Sequence, residues 1–202
     1  MRPQRARDIE FKPQEAALVI IDMQRFFLDP DSPAFMQEAP KAVPAVVRLL
    51  DAFRRMDRPV IFTAHAYRHA SSEGGLMAIW WRKQCLIGSV EAGIAAPLAP
   101  RESEKVFYKQ RYSAFSDPAF ESHLRDLGVK QLLVAGVMTN LCVESTVRDA
   151  FARDILCFVA ADATAAQDDA LHQASLTSMA HGFALVHSAK ELLAYEVQKI
   201  DA

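Results

Sequence analysis

The sequence predicts an α/β fold, in which a single domain is built on a doubly wound, six-stranded parallel sheet with helices on both faces. Short apolar runs rich in β-branched residues alternate with segments of helical periodicity along the chain, which is the pattern of strand–helix–strand units. Residues 17–22, "ALVIID", are apolar up to the final aspartate, as expected of a strand that is buried on both faces. We expect residues 15–202 to form the domain, preceded by an N-terminal extension over residues 1–14.

Composition and charge narrow the classes of partner. Of the 202 residues, 51% are hydrophobic and 24% charged, the formal net charge is -2 and no basic block occurs, which argues against nucleic acid and anionic membranes as partners. No apolar run approaches the roughly 20 residues that a membrane helix needs, and nothing resembles a secretory signal. Cys85, Cys142 and Cys157 are odd in number and widely spaced, which argues against a disulfide framework. These features predict a soluble, cytoplasmic protein.

The elements of the first half follow one another after the strand at 17–22. Residues 41–57 have helical spacing with an apolar face, whose members are Val43, Val46, Val47, Leu50 and Phe53. Pro59 ends this helix, and residues 59–65 read as a second buried strand. Residues 66–103 contain both tryptophans and little periodicity, so they predict long loops with a short helix, and long loops in compact domains are often functional.

The second half is more regular. Residues 104–109 predict a strand, and residues 117–128 a helix with Asp117 at the N-cap, Pro118 at the first helical position and Gly128 at the end. The remaining segments alternate, with strands at 130–137, 155–162 and 183–188 and helices at 141–154, 168–182 and 189–200. Ser188 and Glu191 have the spacing of a capping box on the last helix.

Three chemically distinct side chains follow three of the predicted strands. Asp22 ends the first strand, Lys109 ends the strand at 104–109, and Cys142 comes after a tight turn from the strand at 130–137. The carboxyl ends of parallel strands meet at one edge of the sheet, where ligands of such folds bind. We therefore expect a carboxylate, an ammonium and a thiol to converge there.

That grouping suits nucleophilic catalysis by the thiol. Cys142 would lie in the first turn of a helix capped by Thr139 or Asn140, where the helix N-terminus and the Lys109 ammonium both lower a thiol pKa. Asp22 could accept the thiol proton as a general base, and the free N–H groups at the helix start could bind an oxyanion. Cys157, inside an apolar strand, is expected to be packing only.

Three motifs, in order, resemble those of the isochorismatase-like cysteine hydrolases, a family that includes nicotinamidase, N-carbamoylsarcosine amidohydrolase and ureidoacrylate amidohydrolase. They are "ALVIIDMQRFF" (17–27), "KQRYSAF" (109–115) and "VAGVMTNLCVESTVRDAF" (134–151), the last followed by "VAADATAA" (159–166). The resemblance runs from about residue 15 onward and implies an isochorismatase-like hydrolase domain.

The resemblance also implies the roles of individual residues. The family's Asp–Lys–Cys triad falls on Asp22, Lys109 and Cys142, and its non-proline cis peptide bond falls between Val137 and Met138. The oxyanion hole would be the backbone N–H groups of Met138 and Cys142. The implied reaction is hydrolysis of a small amide or carbamoyl substrate through a thioester on Cys142. Relatives also imply a homo-oligomer, a dimer or tetramer.

Metal and cofactor requirements follow from the same comparison of motifs. Nicotinamidases bind zinc through an Asp-x-His pair after the second strand together with a further histidine, whereas the corresponding stretch here is "FTAHAYRHA". His65 and His69 alone do not make a zinc site. We therefore expect no metal and no cofactor, and assign His65 to the substrate pocket.

The aromatic side chains near these motifs are candidates for the rest of the pocket, because small-molecule sites are largely apolar. They are Phe27, Trp80, Trp81, Tyr112 and Phe115. Arg111 and Arg148 are instead expected to form structural ion pairs.

Two other functions remain open from the sequence. Family members that hydrolyse the vinyl ether of isochorismate typically have glycine at the position of Cys142 and "GVYAH" where this chain has "GVMTN", so the cysteine favours thiol chemistry. A non-catalytic relative would have been free to lose part of the triad, which is complete. A nucleotide-binding protein is excluded, since no strand is followed by GxGxxG or a P-loop.

Overall fold

The computed structural model of the protein describes residues 9–197, and these form one sheet of six parallel strands flanked by helices. The strands are β1 (Ala16–Ile21), β2 (Val60–His65), β3 (Lys105–Lys109), β4 (Gln131–Val137), β5 (Leu156–Ala165) and β6 (Ala184–His187). They lie in the order β3-β2-β1-β4-β5-β6, so that β1 and β4 are central and the chain winds outward from β1 in both directions. The predicted fold class is confirmed.

Two helical layers cover the faces of the sheet. The helices are α1 (Arg25–Leu28), α2 (Ala39–Arg55), α3 (Ala70–Glu73), α4 (Gly75–Trp81), α5 (Pro118–Asp126), α6 (Glu144–Phe151), α7 (Asp169–Gly182) and α8 (Ala189–Val197). Buried side chains of α2 and α8 share one hydrophobic core with one face of the strands, and those of α5, α6 and α7 share a second core with the other face. None of the described helices is long and apolar enough to cross a membrane.

The strand and helix predictions hold where local signals are strong. β1, β2 and β4 are buried along their whole length, as apolar strands in a parallel sheet require. At the start of α5, the Asp117 side chain accepts a hydrogen bond from the Ala119 N–H at 2.9 Å. Ser188 and Glu191 form the predicted reciprocal capping box at α8. The last residues predicted for that helix, 198–200, lie outside the described residues.

Other predictions need correction. The buried stripe of α2 includes Val46, Leu50 and Phe53, but Val43 and Val47 are only partly buried because alanines on the neighbouring positions face the sheet instead. The segment 66–103 contains two short helices, α3 and α4, and a 3₁₀ turn at Ala96–Leu98, where one short helix was expected. In the described part of the N-terminal segment, the ring of Phe11 packs against Phe158 at 4.9 Å.

Gly136 lets β4 approach β1 directly beside the predicted site. Its φ is +113°, and an added Cβ would lie 2.0 Å from the carbonyl oxygen of Ile21, the residue before Asp22. We expect Gly136→Ala to lower the free energy of unfolding by about 3 kcal/mol or more, from backbone strain and overpacking together. Gly128 is the matched control, since its φ is +65° but no atom lies within 4 Å of an added Cβ.

In the Gly128→Ala variant, the free energy of unfolding should therefore fall by only about 1 kcal/mol, which is the cost of a left-handed backbone for alanine. Urea denaturation of both variants measures the difference. Equal losses in the two proteins would show that the close approach of Gly136 to Ile21 has no energetic role.

Candidate active site

The sheet brings Asp22, Lys109 and Cys142 to one edge, as the sequence predicted. Asp22 follows β1, Lys109 is the last residue of β3, and Cys142 lies in the turn after β4. All strands are parallel, so these three positions share the carboxyl edge of the sheet. Lys109 reaches past β2, which lies between β3 and β1, and donates a hydrogen bond from Nζ to Asp22 Oδ2 at 2.6 Å.

Asp22 is held in a strained backbone conformation by neighbouring groups. Its φ is +50°, in the left-handed region that side-chain-bearing residues rarely adopt. The Thr63 hydroxyl donates to Asp22 Oδ1 at 2.6 Å, and the Asp22 N–H donates to the Thr63 carbonyl at 3.1 Å. Lys109 donates a second hydrogen bond to the Arg111 carbonyl at 3.1 Å. The Asp22 and Lys109 side chains are fully buried, so this ion pair is shielded from solvent.

The thiol of Cys142 interacts with both members of the ion pair, but its pKa is not lowered as predicted. Burial raises the pKa of Cys142 to about 12, Lys109 lowers it and Asp22 raises it. The prediction was wrong because it counted the ammonium and the helix end and left out both desolvation and the opposing carboxylate. Burial lowers the pKa of Lys109, whereas Asp22 and Cys142 raise it. The two raising effects together are larger than the effect of burial, so the pKa of Lys109 is raised overall.

These charges define the resting state of the three groups. With an ammonium, a carboxylate and a neutral thiol, the cluster has no net charge. Loss of the thiol proton to solvent would leave a buried negative charge, which is costly. Transfer of that proton from Cys142 to Asp22 leaves the net charge unchanged. The arrangement therefore favours proton exchange inside the cluster over proton loss to water.

The turn that carries Cys142 has two unusual features, of which the family resemblance implied the first and the sequence did not reveal the second. The peptide bond between Val137 and Met138 is cis. Residues Thr139–Val143 then form a π-helical turn, which leads into α6. The Cys142 carbonyl accepts a hydrogen bond from the Thr146 hydroxyl at 2.7 Å. The same hydroxyl accepts one from the Ala114 N–H at 3.0 Å, which ties the turn to the "KQRYSAF" motif.

Neither residue predicted to cap this helix does so. Met138 occupies the N-cap position, and no side chain caps it. The Thr139 hydroxyl lies 2.8 Å from His172 Nδ1 of α7, and the Asn140 side-chain oxygen is buried without a hydrogen-bond partner among the described residues. The wider π-helical turn moves both side chains away from the N–H groups that a regular helix start would have offered them.

A cavity of about 320 Å³ lies beside Cys142. Its lining is mainly aromatic and aliphatic, from Phe26, Phe27, Pro33, Ala34, Phe35, Met36, Met77, Trp81, Tyr112, Met138 and Leu141, with polar groups from His65, Tyr67, Lys83, Cys142 and Gln167. Lys83 donates a hydrogen bond to the Pro33 carbonyl, and the indole N–H of Trp81 donates to the Tyr112 hydroxyl at 2.9 Å. Within residues 9–197, no carboxylate lines this cavity.

Four of the six pocket residues predicted from the sequence line this cavity, namely Phe27, His65, Trp81 and Tyr112. Trp80 does not, because it points away from the cavity on α4 and is 78% exposed. Phe115 does not either, because its ring packs edge-on against Phe120 in the core beneath α5. Consecutive helical residues point about 100° apart, so only one of the two adjacent tryptophans can face the cavity.

Several lining residues were not anticipated from the sequence. Tyr67 lies two residues beyond His65, and its hydroxyl is 3.1 Å from His65 Nε2. The alternation of side chains along an extended segment would have placed these two rings on one side. Phe26 and Met36 come from α1 and the segment after it, which carried no periodic signal. Arg111, predicted to form an ion pair, instead donates to the carbonyls of Glu73 and Gln110.

Comparison with known protein families matches residues 16–191 to the isochorismatase domain. This chain belongs to the isochorismatase family. Nicotinamidase 3 of Arabidopsis thaliana is 33% identical over 172 residues, covering 84% of this chain and 82% of that protein. Ureidoacrylate amidohydrolase RutB of Methylobacterium radiotolerans is 30% identical over 200 residues, covering 88% of this chain and 78% of that protein.

A solved structure agrees with the fold described above. The crystal structure of a cysteine hydrolase from Pseudomonas syringae pv. phaseolicola is similar with a TM-score of 0.89 and 25% sequence identity. The similarity covers 93% of this chain and 95% of that chain. The resemblance stated from the three sequence motifs is thus confirmed at the level of the family.

In this isochorismatase-family chain, His65, the last residue of β2, presents a neutral imidazole to the cavity. Burial, followed by the nearby Lys109 ammonium, lowers the pKa of His65 to about 4, so that the imidazole is uncharged at pH 7. Its backbone is clamped by Gln24, whose side-chain oxygen accepts from the His65 N–H at 2.7 Å. His69 is exposed. Over residues 9–197, no group of three or more His, Cys, Asp or Glu side chains is placed to hold a metal ion.

Proposed function

We propose that this isochorismatase-family protein is a cysteine amidohydrolase, which cleaves the C–N bond of a small amide or carbamoyl substrate. The observation that carries the proposal is the buried, net-neutral cluster of Asp22, Lys109 and Cys142 beside an apolar cavity. Two relatives are named nicotinamidase and ureidoacrylate amidohydrolase, which supports amide substrates.

The first half of the proposed reaction transfers the acyl group to sulfur. As the Cys142 sulfur attacks the substrate carbonyl carbon, its proton passes to the Asp22 carboxylate, and the carbonyl oxygen becomes an oxyanion. The backbone N–H groups of Met138 and Cys142 are the proposed hydrogen-bond donors to that oxyanion. When the C–N bond breaks, Asp22 gives the proton to the departing nitrogen, and ammonia or an amine leaves.

The second half regenerates the thiol. A water molecule loses a proton to Asp22 and attacks the thioester carbonyl, which again forms an oxyanion in the same place. The C–S bond breaks, the acid product forms, and Asp22 returns the proton to sulfur. Lys109 keeps the charge balance throughout, because its ammonium compensates first the carboxylate and then the negative charge that develops on sulfur and oxygen.

The lining of the cavity indicates what kind of substrate it can bind. Its lining is mostly aromatic and aliphatic, and among the described residues it presents no carboxylate, so it suits an uncharged or anionic amide with an apolar acyl group. The homo-oligomer and the cytoplasmic location inferred from the sequence stay predictions. In the described structure, Cys85, Cys142 and Cys157 are all free and buried, which agrees with a reducing compartment.

Release of ammonia tests the proposal directly. Nicotinamide, ureidoacrylate and benzamide are suitable first substrates, and for whichever is hydrolysed Cys142→Ser is expected to lower kcat at least about 10⁴-fold. Cys85→Ser is the control, since Cys85 is buried near Gln24 and has no part in the mechanism. Mass spectrometry of the protein stopped during turnover should show the acyl group on Cys142.

Two results would count against this function. Undiminished hydrolysis by Cys142→Ser would remove the thiol from the mechanism. Cleavage of the vinyl ether of isochorismate, with every amide left intact, would favour the vinyl-ether chemistry instead.

A further inference from the structure

The turn that presents Cys142 is held from outside the cavity by α7. The side chain of Thr139, the first π-helical residue of the turn, is fully buried, and its hydroxyl lies 2.8 Å from Nδ1 of His172. These residues are 33 positions apart. His172 is absent from the lining of the cavity beside Cys142 and lines a separate, smaller one of about 140 Å³.

Ser175, one helical turn further along α7, contacts the same turn and also the start of α6. Its hydroxyl lies 3.0 Å from the Thr139 carbonyl oxygen and 2.5 Å from Oε2 of Glu144, the first residue of α6. Glu144 also pairs with Arg148 at 2.7 Å. Ser175 is buried, so these hydrogen bonds are protected from competing water.

We propose that His172 and Ser175 are positioning residues, which fix the turn 138–143 and thereby the placement of Cys142 against the carboxylate, the ammonium and the substrate. Neither side chain lines the cavity beside Cys142, so both act through Thr139. This inference rests on the proposed function, because only a nucleophile with oxyanion donors beside it needs such a fixed turn.

The physical reason lies in how few side chains restrain the turn. Met138 at its start receives no side-chain cap. Thr146 holds the Cys142 carbonyl from the side of α6, and His172 with Ser175 holds Thr139 from the side of α7. If the contact to α7 is lost, the N–H groups and the sulfur can shift together, and displacements of about 1 Å cost up to about 10²-fold in rate.

Different replacements of His172 can show whether its role depends on the hydrogen bond at Nδ1 or on the size of the side chain. An asparagine side chain can place a polar atom close to the position of Nδ1, whereas a glutamine places one close to Nε2. We therefore expect His172→Asn to behave like the wild type, and His172→Ala and His172→Gln to be impaired. His181, an exposed histidine on the same helix, supplies the control His181→Ala.

Two measurements on the full chain test the proposal. The first is the rate at which iodoacetamide alkylates Cys142 at pH 7, expected to fall about tenfold in His172→Ala and less than twofold in His172→Asn. The second is hydrogen exchange of the backbone amides of 138–143, expected to become about tenfold faster in His172→Ala while exchange in β1 and β4 stays unchanged.

The two readouts separate this inference from the proposed function. Unchanged exchange in the turn, equal impairment of the asparagine and alanine variants, or uniformly faster exchange along the chain would each overturn the positioning role. If instead exchange changes as expected while wild-type Cys142 reacts no faster than Cys157, the turn is held as described and it is the amidohydrolase function that fails.

Discussion

Replacing Asp22 with asparagine is expected to separate the reactivity of the thiol from hydrolysis. Hydrolysis of the substrate should fall about 10³-fold, because Asp22 is the proposed proton acceptor and donor at both nitrogen and water. Alkylation of Cys142 by iodoacetamide should persist, and its rate should rise at lower pH than in the wild type. No other single change in the site is expected to affect the two reactions in opposite directions.

The sign of the pH shift follows from the charges around the thiol. In the wild type, burial and the Asp22 carboxylate raise the pKa of Cys142, and Lys109 lowers it. Asparagine has no charge, so the variant loses the carboxylate that raises the pKa of the thiol. The Lys109 ammonium, which lowers that pKa, remains, and the pKa of Cys142 therefore falls. Since the thiolate is the reactive form, more of the protein is alkylated at any pH below that pKa.

Cys157 provides an internal control in the same samples. Burial alone raises its pKa to about 12, and it lies in β5 away from both charged groups. Mass spectrometry of each cysteine separately should show Cys157 equally slow in the two proteins. If Asp22→Asn slows alkylation as much as hydrolysis, the Lys109 ammonium alone does not stabilise the thiolate, and the expected fall in the pKa of Cys142 is wrong.

Replacing Lys109 with methionine is expected to give the largest loss of stability, about 3–5 kcal/mol in the free energy of unfolding at pH 7. The Asp22 carboxylate would keep its hydrogen bond from Thr63 but lose its buried counter-charge. The double variant Asp22→Asn/Lys109→Met should recover most of that stability, because no charge remains buried. Both variants should be inactive.

Denaturant unfolding of both variants and the wild type measures these differences. Lys41→Met is the matched control, because Lys41 makes a contact of similar length to Glu38, 2.7 Å, but its side chain is 68% exposed. Such a surface pair contributes at most about 1 kcal/mol. A double variant as unstable as Lys109→Met would show that the packing of the lysine stem, and not its charge, determines the loss.

The placement of Asp22, Lys109 and Cys142 together could be predicted from the sequence, because a parallel sheet brings the ends of its strands to one edge. Asp22, Lys109 and Cys142 were each visible as a residue that follows an apolar run, although they are far apart in the chain. The thiol pKa could not be predicted in the same way. It depends on desolvation and on the carboxylate together, and neither the depth of burial nor the distance between charges is written in local sequence.

Two predictions from the sequence failed for different reasons. One was the cap at the start of the turn, and the other was that both tryptophans line the cavity. Thr139 was expected to cap its own helix because local signals indicate caps, whereas its partner His172 lies 33 residues away on another helix. Trp80 and Trp81 could be told apart only once the bounds of α4 were known. The segment 66–103 has no strong capping signal that would set those bounds.

The division of the site between strands and connections has a consequence for how such an enzyme diversifies. The groups proposed for bond cleavage lie directly after β1, at the end of β3 and in the turn after β4. Met77, Trp81 and Lys83, on one side of the cavity, belong to the connection from β2 to β3. We therefore expect insertions, deletions or substitutions in that connection to change which acyl groups are accepted and to leave the groups at the edge of the sheet in place.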